Sequence, residues 1–415
     1  MKLLITGASG FLGRRAAAHF KMLGFQVLTP SHPELDITRE DAVLQWFREN
    51  QPEAVIHTAA ISDTGLCQQK PQWSETINVD GCVHLARACT ETGAKLIICS
   101  SDQVYSGSAL PGPHREDEPV TPNNVYGNQK RLAECKCLEI LPQTVCLRLS
   151  WMYAAHRFPE ERGNFLTTLK DTLEDPSKPL TWPIHDRRGI TEAEEVVKNL
   201  PRALELPGGI YNFGSEDPVS PYETVKTVLK QLNLEEALAR LTPNEAAFTE
   251  HPRDISMDLT KLRSFGITFP TTEESLVTAL KQGGKPMTLY ICLDDRNGLQ
   301  FNKRRQSRDS AVLEDIRSRL TGKLLIEPFS EKLIREAEIP YVLPPEGAED
   351  YFAENVPSQE VMENTSKIVI YRWNRHYPSD LRWEPDLTAL GFSLKETGEF
   401  PGTSHEKITR EVYER

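Results

Sequence analysis

Residues 6–13 read Thr-Gly-Ala-Ser-Gly-Phe-Leu-Gly, directly after the apolar run Lys2-Leu-Leu-Ile5 and directly before a helical pattern. A glycine-spaced turn between a strand and a helix constrains this chain more than its composition does. Gly7 permits the tight turn, Gly10 lets the backbone approach a pyrophosphate, and Gly13 lets helix and strand pack closely, while the N–H groups at the helix start attract phosphate charge. The turn predicts a β-α-β unit that binds a dinucleotide. It also interrupts the N-terminal apolar run, so that run reads as a strand and not as a secretion leader.

Up to residue 150 the chain alternates β-branched or leucine-rich runs (2–6, 26–29, 54–60, 95–101, 144–150) with helical stretches (11–23, 39–50, 75–92, 126–141). That alternation predicts an α/β fold, a doubly wound parallel sheet of Rossmann type, with ligands at the carboxyl ends of the strands, after Thr6, Thr29, Ala60 and Ser101. From Trp151 to about residue 285 the pattern loosens into Pro- and Gly-containing loops, with helices over 191–206 and 222–232 and a strand over 209–213, which suits a small substrate lobe. Gln282-Gly-Gly-Lys-Pro286 reads as a linker, and Met287 opens a fresh strand. The expected domains are a cofactor-binding core (1–150), a substrate lobe of the same unit (151–285) and a separate C-terminal α+β domain (287–415).

A net charge of −12 argues against a nucleic-acid partner. No apolar run reaches the roughly eighteen residues of a membrane span, so no membrane partner and a cytoplasmic location are expected. The eight cysteines form no C-x-x-C pair. Cys135-Lys-Cys137 is too closely spaced for an unstrained disulfide or a zinc knuckle, so reduced thiols and no metal are expected.

Two strings carry chemistry: Ser100-Ser101-Asp102-Gln103-Val104-Tyr105 after the run at 95–99, and Tyr126-Gly-Asn-Gln-Lys130. Tyr126 and Lys130, four apart, share one helix face. The lysine is expected to lower the tyrosine pKa towards neutrality and to bind a cofactor ribose, with Ser101 donating to the same substrate oxygen.

With these strings, residues 1 to about 285 resemble an extended short-chain dehydrogenase/reductase, and within it the dTDP-4-dehydrorhamnose reductase and related sugar-nucleotide-binding family. Further supporting strings are Leu35-Asp36-Ile37-Thr38, His57-Thr58-Ala59-Ala60, Ile77-Asn78-Val79-Asp80-Gly81, Leu147-Arg148-Leu149-Ser150-Trp151, Gly163-Asn164-Phe165 and Asp254-Ile-Ser-Met-Asp258. The resemblance implies a catalytic trio of Ser101, Tyr126 and Lys130, with serine where threonine is usual. It places Gly7, Gly10, Phe11, Leu12, Gly13, Asp36, Ile37, Ala59 and Ala60 on the cofactor together with Tyr126 and Lys130. Asp102, Trp151 and Asn164 would face the sugar nucleotide, and Asn78 matches a helix asparagine associated with such sites.

The implied activity is reduction of the keto group of a nucleotide-activated sugar. The substrate half departs from the family pattern: the D-Q-x-G-x-P-T loop stands here as Asp186-Arg187-Arg188-Gly189-Ile190-Thr191, and the late Arg-Pro as His251-Pro252. A non-catalytic cofactor-binding regulator, similar to the β subunit of methionine adenosyltransferase, therefore stays open beside the enzyme. NADP is favoured over NAD because Val27-Leu-Thr-Pro-Ser31 ends the second strand without an acid. Arg14 or Arg15 could meet a 2′-phosphate.

The tail predicts strands at 289–293 and 368–371, helices at 310–320 and 331–337, and a solvated basic turn at Asn302-Lys-Arg-Arg-Gln-Ser-Arg308. Its strings resemble small bacterial proteins sometimes labelled ribonuclease Z. With only His376 and His405 it lacks the ligand cluster such a nuclease needs, and both read as surface or capping histidines. A homodimer and a protein partner on the C-terminal domain are left open.

Overall fold

The leucine, isoleucine and valine runs become strands because both faces of each are covered: Leu3, Leu4, Val55, Ile56, Leu96, Ile97, Val145 and Leu147 are all solvent-excluded, as in any parallel sheet clad in helices. The computed structural model describes residues 1–155, 163–282, 287–320, 322–343, 350–357, 361–362 and 365–415. In it β1 (Lys2–Thr6), β2 (Gln26–Leu28), β3 (Ala54–His57), β4 (Lys95–Ser101), β5 (Val145–Leu149) and β6 (Gly209–Phe213) form one six-stranded sheet in the order β6-β5-β4-β3-β1-β2. Every neighbouring pair is parallel. The chain leaves β1 for β2 on one side and returns to β3 on the other, so the switch point and its crevice lie at the carboxyl ends of β1 and β3.

Two expectations are corrected here. The helix expected over 75–92 starts earlier, at Pro71, and carries a π-helical turn at Thr76–Asp80 before α2 (Gly81–Thr92); α1 (Phe11–Met22) and the helix Glu40–Asn50 form the first two crossovers. Pro71 starts its short helix at the first position, where its missing N–H costs nothing. The strand at 209–213, expected in the smaller lobe, instead pairs with β5 from Gly209↔Val145 to Phe213↔Leu149. The main core accordingly draws on both sides of residue 150: Leu12, Ala16 and Phe20 of α1 pack with Val196, Leu200 and Tyr211. A separate cluster around Phe165, Trp182, Val225 and Leu276 forms the lobe. The fourth crossover is α3 (Val125–Ile140), capped by the Asn124 side chain on the Gly127 N–H.

Residues 287–415 belong to a second compact unit. Its seven-stranded sheet comprises β7 (Met287–Leu293), β8 (Leu324–Ile326), β9 (Tyr341–Val342), β10 (Asp350–Ala353), β11 (Thr365–Arg372), β12 (Ser393–Phe400) and β13 (Ile408–Glu414), in the order β9-β8-β10-β7-β11-β13-β12. The first five in that order run parallel, and the final hairpin closes antiparallel. Thus the expected α+β tail is sheet-rich with a mostly parallel core. The basic run is placed on a hairpin: Gly298–Phe301 pairs antiparallel with Arg304–Arg305, and Asn302 and Lys303 both take positive φ, 49° and 57°, as a two-residue type I′ turn requires. The linker at 283–286 lies outside the described residues. Among the described residues no helix is long and apolar enough to cross a membrane, and no cluster of His, Cys, Asp and Glu could hold a metal ion. All eight cysteines are free thiols.

Candidate active site

The glycine turn closes at the mouth of β1, where Gly10 N–H donates to Gly7 O at 2.9 Å. Gly7 sits at φ +68°, and a Cβ there would stand 2.6 Å from Ala59 N; one on Gly13 would stand 2.2 Å from Gly7 O. These two glycines serve close packing. Gly10 differs, since its Cβ would meet only Gly7 O, at 3.2 Å. α1 starts there with no side-chain cap and no acid in its first turn, which leaves the N-terminal N–H donors and the helix dipole for an anion. A dinucleotide phosphate fits this cradle.

Around it the expected cofactor residues are split in role. Ala59 and Ala60 are half-buried just beyond β3, and Leu12 is buried. Phe11 lies under the Arg15 guanidinium, 4.4 Å from its ring centroid, and its carbonyl accepts from Arg15 Nη1 at 2.8 Å. Arg15 is otherwise committed to Glu194, at 3.0 Å. Asp36 accepts from the Thr38 N–H and hydroxyl, and buried Ile37 packs where a Gly81 Cβ would sit 2.8 Å from its Cδ1. Asn78, on the π-helical turn, is fully buried. It accepts from Ile61 N–H at 2.8 Å and donates to Ile61 O and Gln129 Oε1, so it fastens the loop beyond β3.

β4 delivers Ser101 and α3 delivers Tyr126 and Lys130 to the same place. Lys130 Nζ donates to Cys99 O at 2.8 Å and lies 5.6 Å from the Tyr126 ring centroid. Burial pushes the Tyr126 hydroxyl up, outweighing the downward pull of Lys130 and of a hydrogen bond with Ser101. The shift runs opposite to the expected tuning towards neutrality, because burial favours the protonated phenol. For Lys130, burial opposes the charge, yet Tyr126 and the thiols of Cys82, Cys99 and Cys67 carry its pKa upward.

Ser101 Oγ accepts from the Gln103 N–H at 3.2 Å and donates to Asp102 Oδ1 at 3.0 Å. Asp102 is 1% exposed, and its other oxygen accepts from Arg188 Nη2 at 2.6 Å. Burial raises the Asp102 pKa against the pull of Arg188 and Ser101. Arg188 lies 5.3 Å from the centroid of the Trp151 ring, which is 39% exposed, and its buried Nε has no hydrogen-bond partner among the described residues.

Of the three residues expected to face substrate, Trp151 is open to solvent, whereas Asp102 is committed to Ser101 and Arg188. Asn164 is a helix cap: it accepts from Thr167 N–H and donates to Ala154 O.

Sequence reasoning missed Arg188 as a site residue, although its place in the altered loop was the signal. It also missed the buried support beneath the site. Arg148 and Glu134 pair through two contacts of 2.9 and 2.7 Å, and Arg148 Nη1 donates to Tyr105, which donates to Asn212 Oδ1 at 2.8 Å. A charged residue inside the apolar run Leu147-Arg148-Leu149 is the readable trace of such a pair.

Residues 1–284 match the profile of the RmlD substrate binding domain. dTDP-4-dehydrorhamnose reductase of Streptomyces griseus is 39% identical over 153 residues, 37% of this chain and 50% of that protein. Methionine adenosyltransferase 2 subunit beta of Pongo abelii is 26% identical over 280 residues, 64% of this chain and 83% of its own length. Among solved structures, dTDP-4-dehydrorhamnose reductase of Bacillus anthracis str. Ames in complex with NADP superposes with a TM-score of 0.59 at 23% identity, over 68% of this chain and 98% of that one.

Proposed function

Over residues 1–284 the chain belongs to the RmlD substrate binding domain family, and from this premise we propose that it is an NADP-dependent reductase of the keto group of a nucleotide-activated sugar. The observation that carries the reading is the convergence of Ser101, Tyr126 and Lys130 beside the switch-point crevice, with an anion cradle in the glycine turn. The substrate is a small molecule handled in the cytoplasm. The functional parts are the cofactor core (1–150), the substrate lobe (151–285) and a C-terminal domain of separate role (287–415).

A nicotinamide cofactor, when bound, supplies the hydride. This chain's residues manage the proton. Tyr126, kept protonated by burial, gives its proton to the carbonyl oxygen, and the Lys130 ammonium, fixed on Cys99 O, stabilises the resulting phenolate. Ser101 donates to the same oxygen only after its hydroxyl rotates away from Asp102. NADP is preferred because Thr29-Pro30-Ser31 after β2 offers no acid to repel a 2′-phosphate. Half-buried Arg14 and Arg15, which is buried against Glu194, are the two arginines near the turn for a 2′-phosphate.

A regulator without turnover is the second reading, favoured by the subunit-beta relative and by the Asp102–Arg188 pair. Tyr126→Phe separates the two. It should leave NADPH affinity unchanged and lower kcat on a panel of 4-keto sugar nucleotides by about 100-fold or more. Wild-type protein that binds NADPH yet reduces no member of the panel supports the regulator. Full activity of the variant would overturn the proton-donor role.

A further inference from the structure

His405, expected at the surface or on a helix end, is buried at 7% exposure and stacked on Trp373 with ring centroids 4.6 Å apart. It lies on the loop between β12 and β13, which folds over the start of α4 (Ser310–Arg319). Asp309 caps that helix, and Gly402 makes the approach possible, because a Cβ there would stand 2.4 Å from Asp309 Oδ2. His405 Nδ1 is 3.0 Å from Asp309 Oδ2. Its Nε2 is 3.2 Å from Ser307 Oγ and 3.0 Å from the Tyr377 hydroxyl.

The carboxylate fixes the tautomer. Burial works against the Asp309 charge, but the N–H groups of Thr403 and Ser404 and the His405 ring outweigh it and hold its pKa well below the usual range. Nδ1 therefore carries the proton, and Nε2 offers its lone pair to the two hydroxyls. A loop latch would need only Asp309 and the backbone donors of 403–405. Here the other ring nitrogen also collects the hydroxyls of Ser307, two residues before Asp309, and of Tyr377 from a further segment, and Ser307 is half-exposed.

We propose that Ser307, His405 and Asp309 form a nucleophile, base and orienting acid, and that the second unit holds an acyl-transfer site for small carboxylic esters. A cleft of about 540 Å³ opens alongside, lined by Arg308, Ser310, Leu313, Glu314, Glu336 and Ser404 among others, of which Arg308 adjoins Ser307 and Ser404 adjoins His405 in the chain. That is room for a small ligand. Arg308, next to Ser307 in the chain and with Nη1 3.6 Å from Glu336, is the cation we assign to the developing oxyanion. Ser307 Oγ bonds to the acyl carbon as its proton passes to His405 Nε2. The ester C–O bond then breaks as His405 returns that proton to the departing alkoxide. Water, deprotonated by His405, attacks the acyl-serine and releases the carboxylic acid, with the proton going back to Ser307. Tyr377 competes for Nε2, so its removal should quicken the reaction.

The test treats the full-length protein with a fluorophosphonate probe and locates the adduct by peptide mass spectrometry, alongside hydrolysis of p-nitrophenyl acetate. One phosphonyl group on Ser307 is expected. Labelling should vanish in Ser307→Ala, slow by about 100-fold in His405→Asn, quicken in Tyr377→Phe, and stay unchanged in Tyr126→Phe, which keeps the result independent of the reductase reading. Should His405→Asn fail to fold, Ser307→Ala decides, since it removes one half-exposed oxygen. No adduct on wild type, or an adduct that survives Ser307→Ala, overturns the proposal and leaves the cluster a loop latch.

Discussion

Replacing Arg188 by Met removes the cation from a carboxylate that has nowhere else to go. Asp102 is 1% exposed, and Arg188 Nη2 at 2.6 Å is its one charged hydrogen-bond partner among the described contacts, the Ser101 hydroxyl being the other donor. An uncompensated buried charge of this kind costs about 3–5 kcal/mol. For a unit of this size that corresponds to a fall in melting temperature of roughly 6–10 °C. The protein can escape part of the cost by protonating Asp102, which makes the loss depend on pH.

The sign is fixed by the direction of the shift: the folded-state pKa is already raised by burial and rises further without the arginine. The folded state then binds more protons than the unfolded one, so stability is greatest below the unfolded pKa and declines as pH rises towards the folded pKa. The slope is at most about 1.4 kcal/mol per pH unit, so the variant should regain stability as pH falls from 8 towards 5. Urea denaturation of wild type, Arg188→Met, Asp102→Asn and the double variant at pH 5, 6, 7 and 8 measures it. Asp102→Asn in the Arg188→Met background should restore most of the loss and flatten its pH dependence. A loss of equal size at pH 5 and pH 8, or a double variant no more stable than Arg188→Met, would refute the reasoning.

NADPH should raise the melting temperature more than NADH at equal concentration, because nothing after β2 repels a 2′-phosphate; equal protection in differential scanning fluorimetry contradicts this. Asn78→Ala leaves Ile61 N–H and Gln129 Oε1 without their buried partner, so a loss of about 1–3 kcal/mol in urea denaturation and weaker NADPH binding in calorimetry are expected. Burial raises Asp217 to about 7 from 3.8 despite the hydroxyl of Thr224. Its contribution to stability is therefore full below pH 3.8 and lost as pH rises to about 7. Asp217→Asn should gain on wild type across that window, and parallel pH–stability curves for the two proteins would contradict the shift.

The chain's local order was written into its own residues. The glycine turn, the apolar runs buried on both faces and the four-residue spacing of Tyr126 and Lys130 depend only on backbone sterics, helical period and the burial of leucine and valine, which act over a few residues. They sufficed for the parallel sheet, the crevice and two members of the proposed trio. What tertiary structure alone decided are contacts between segments far apart in sequence. Gly209–Phe213 carries no mark of which sheet it joins, and pairing with Val145–Leu149 settled that. Arg188 reaches Asp102 across 86 positions, Arg15 is drawn to Glu194 across 179, and His405 meets Asp309 across 96. The Tyr126 pKa followed the same rule: its neighbour Lys130 was legible, but the burial that outweighs that neighbour belongs to the folded whole. Charge partners and desolvation are properties of the packed interior, and no period or motif along the chain encodes them.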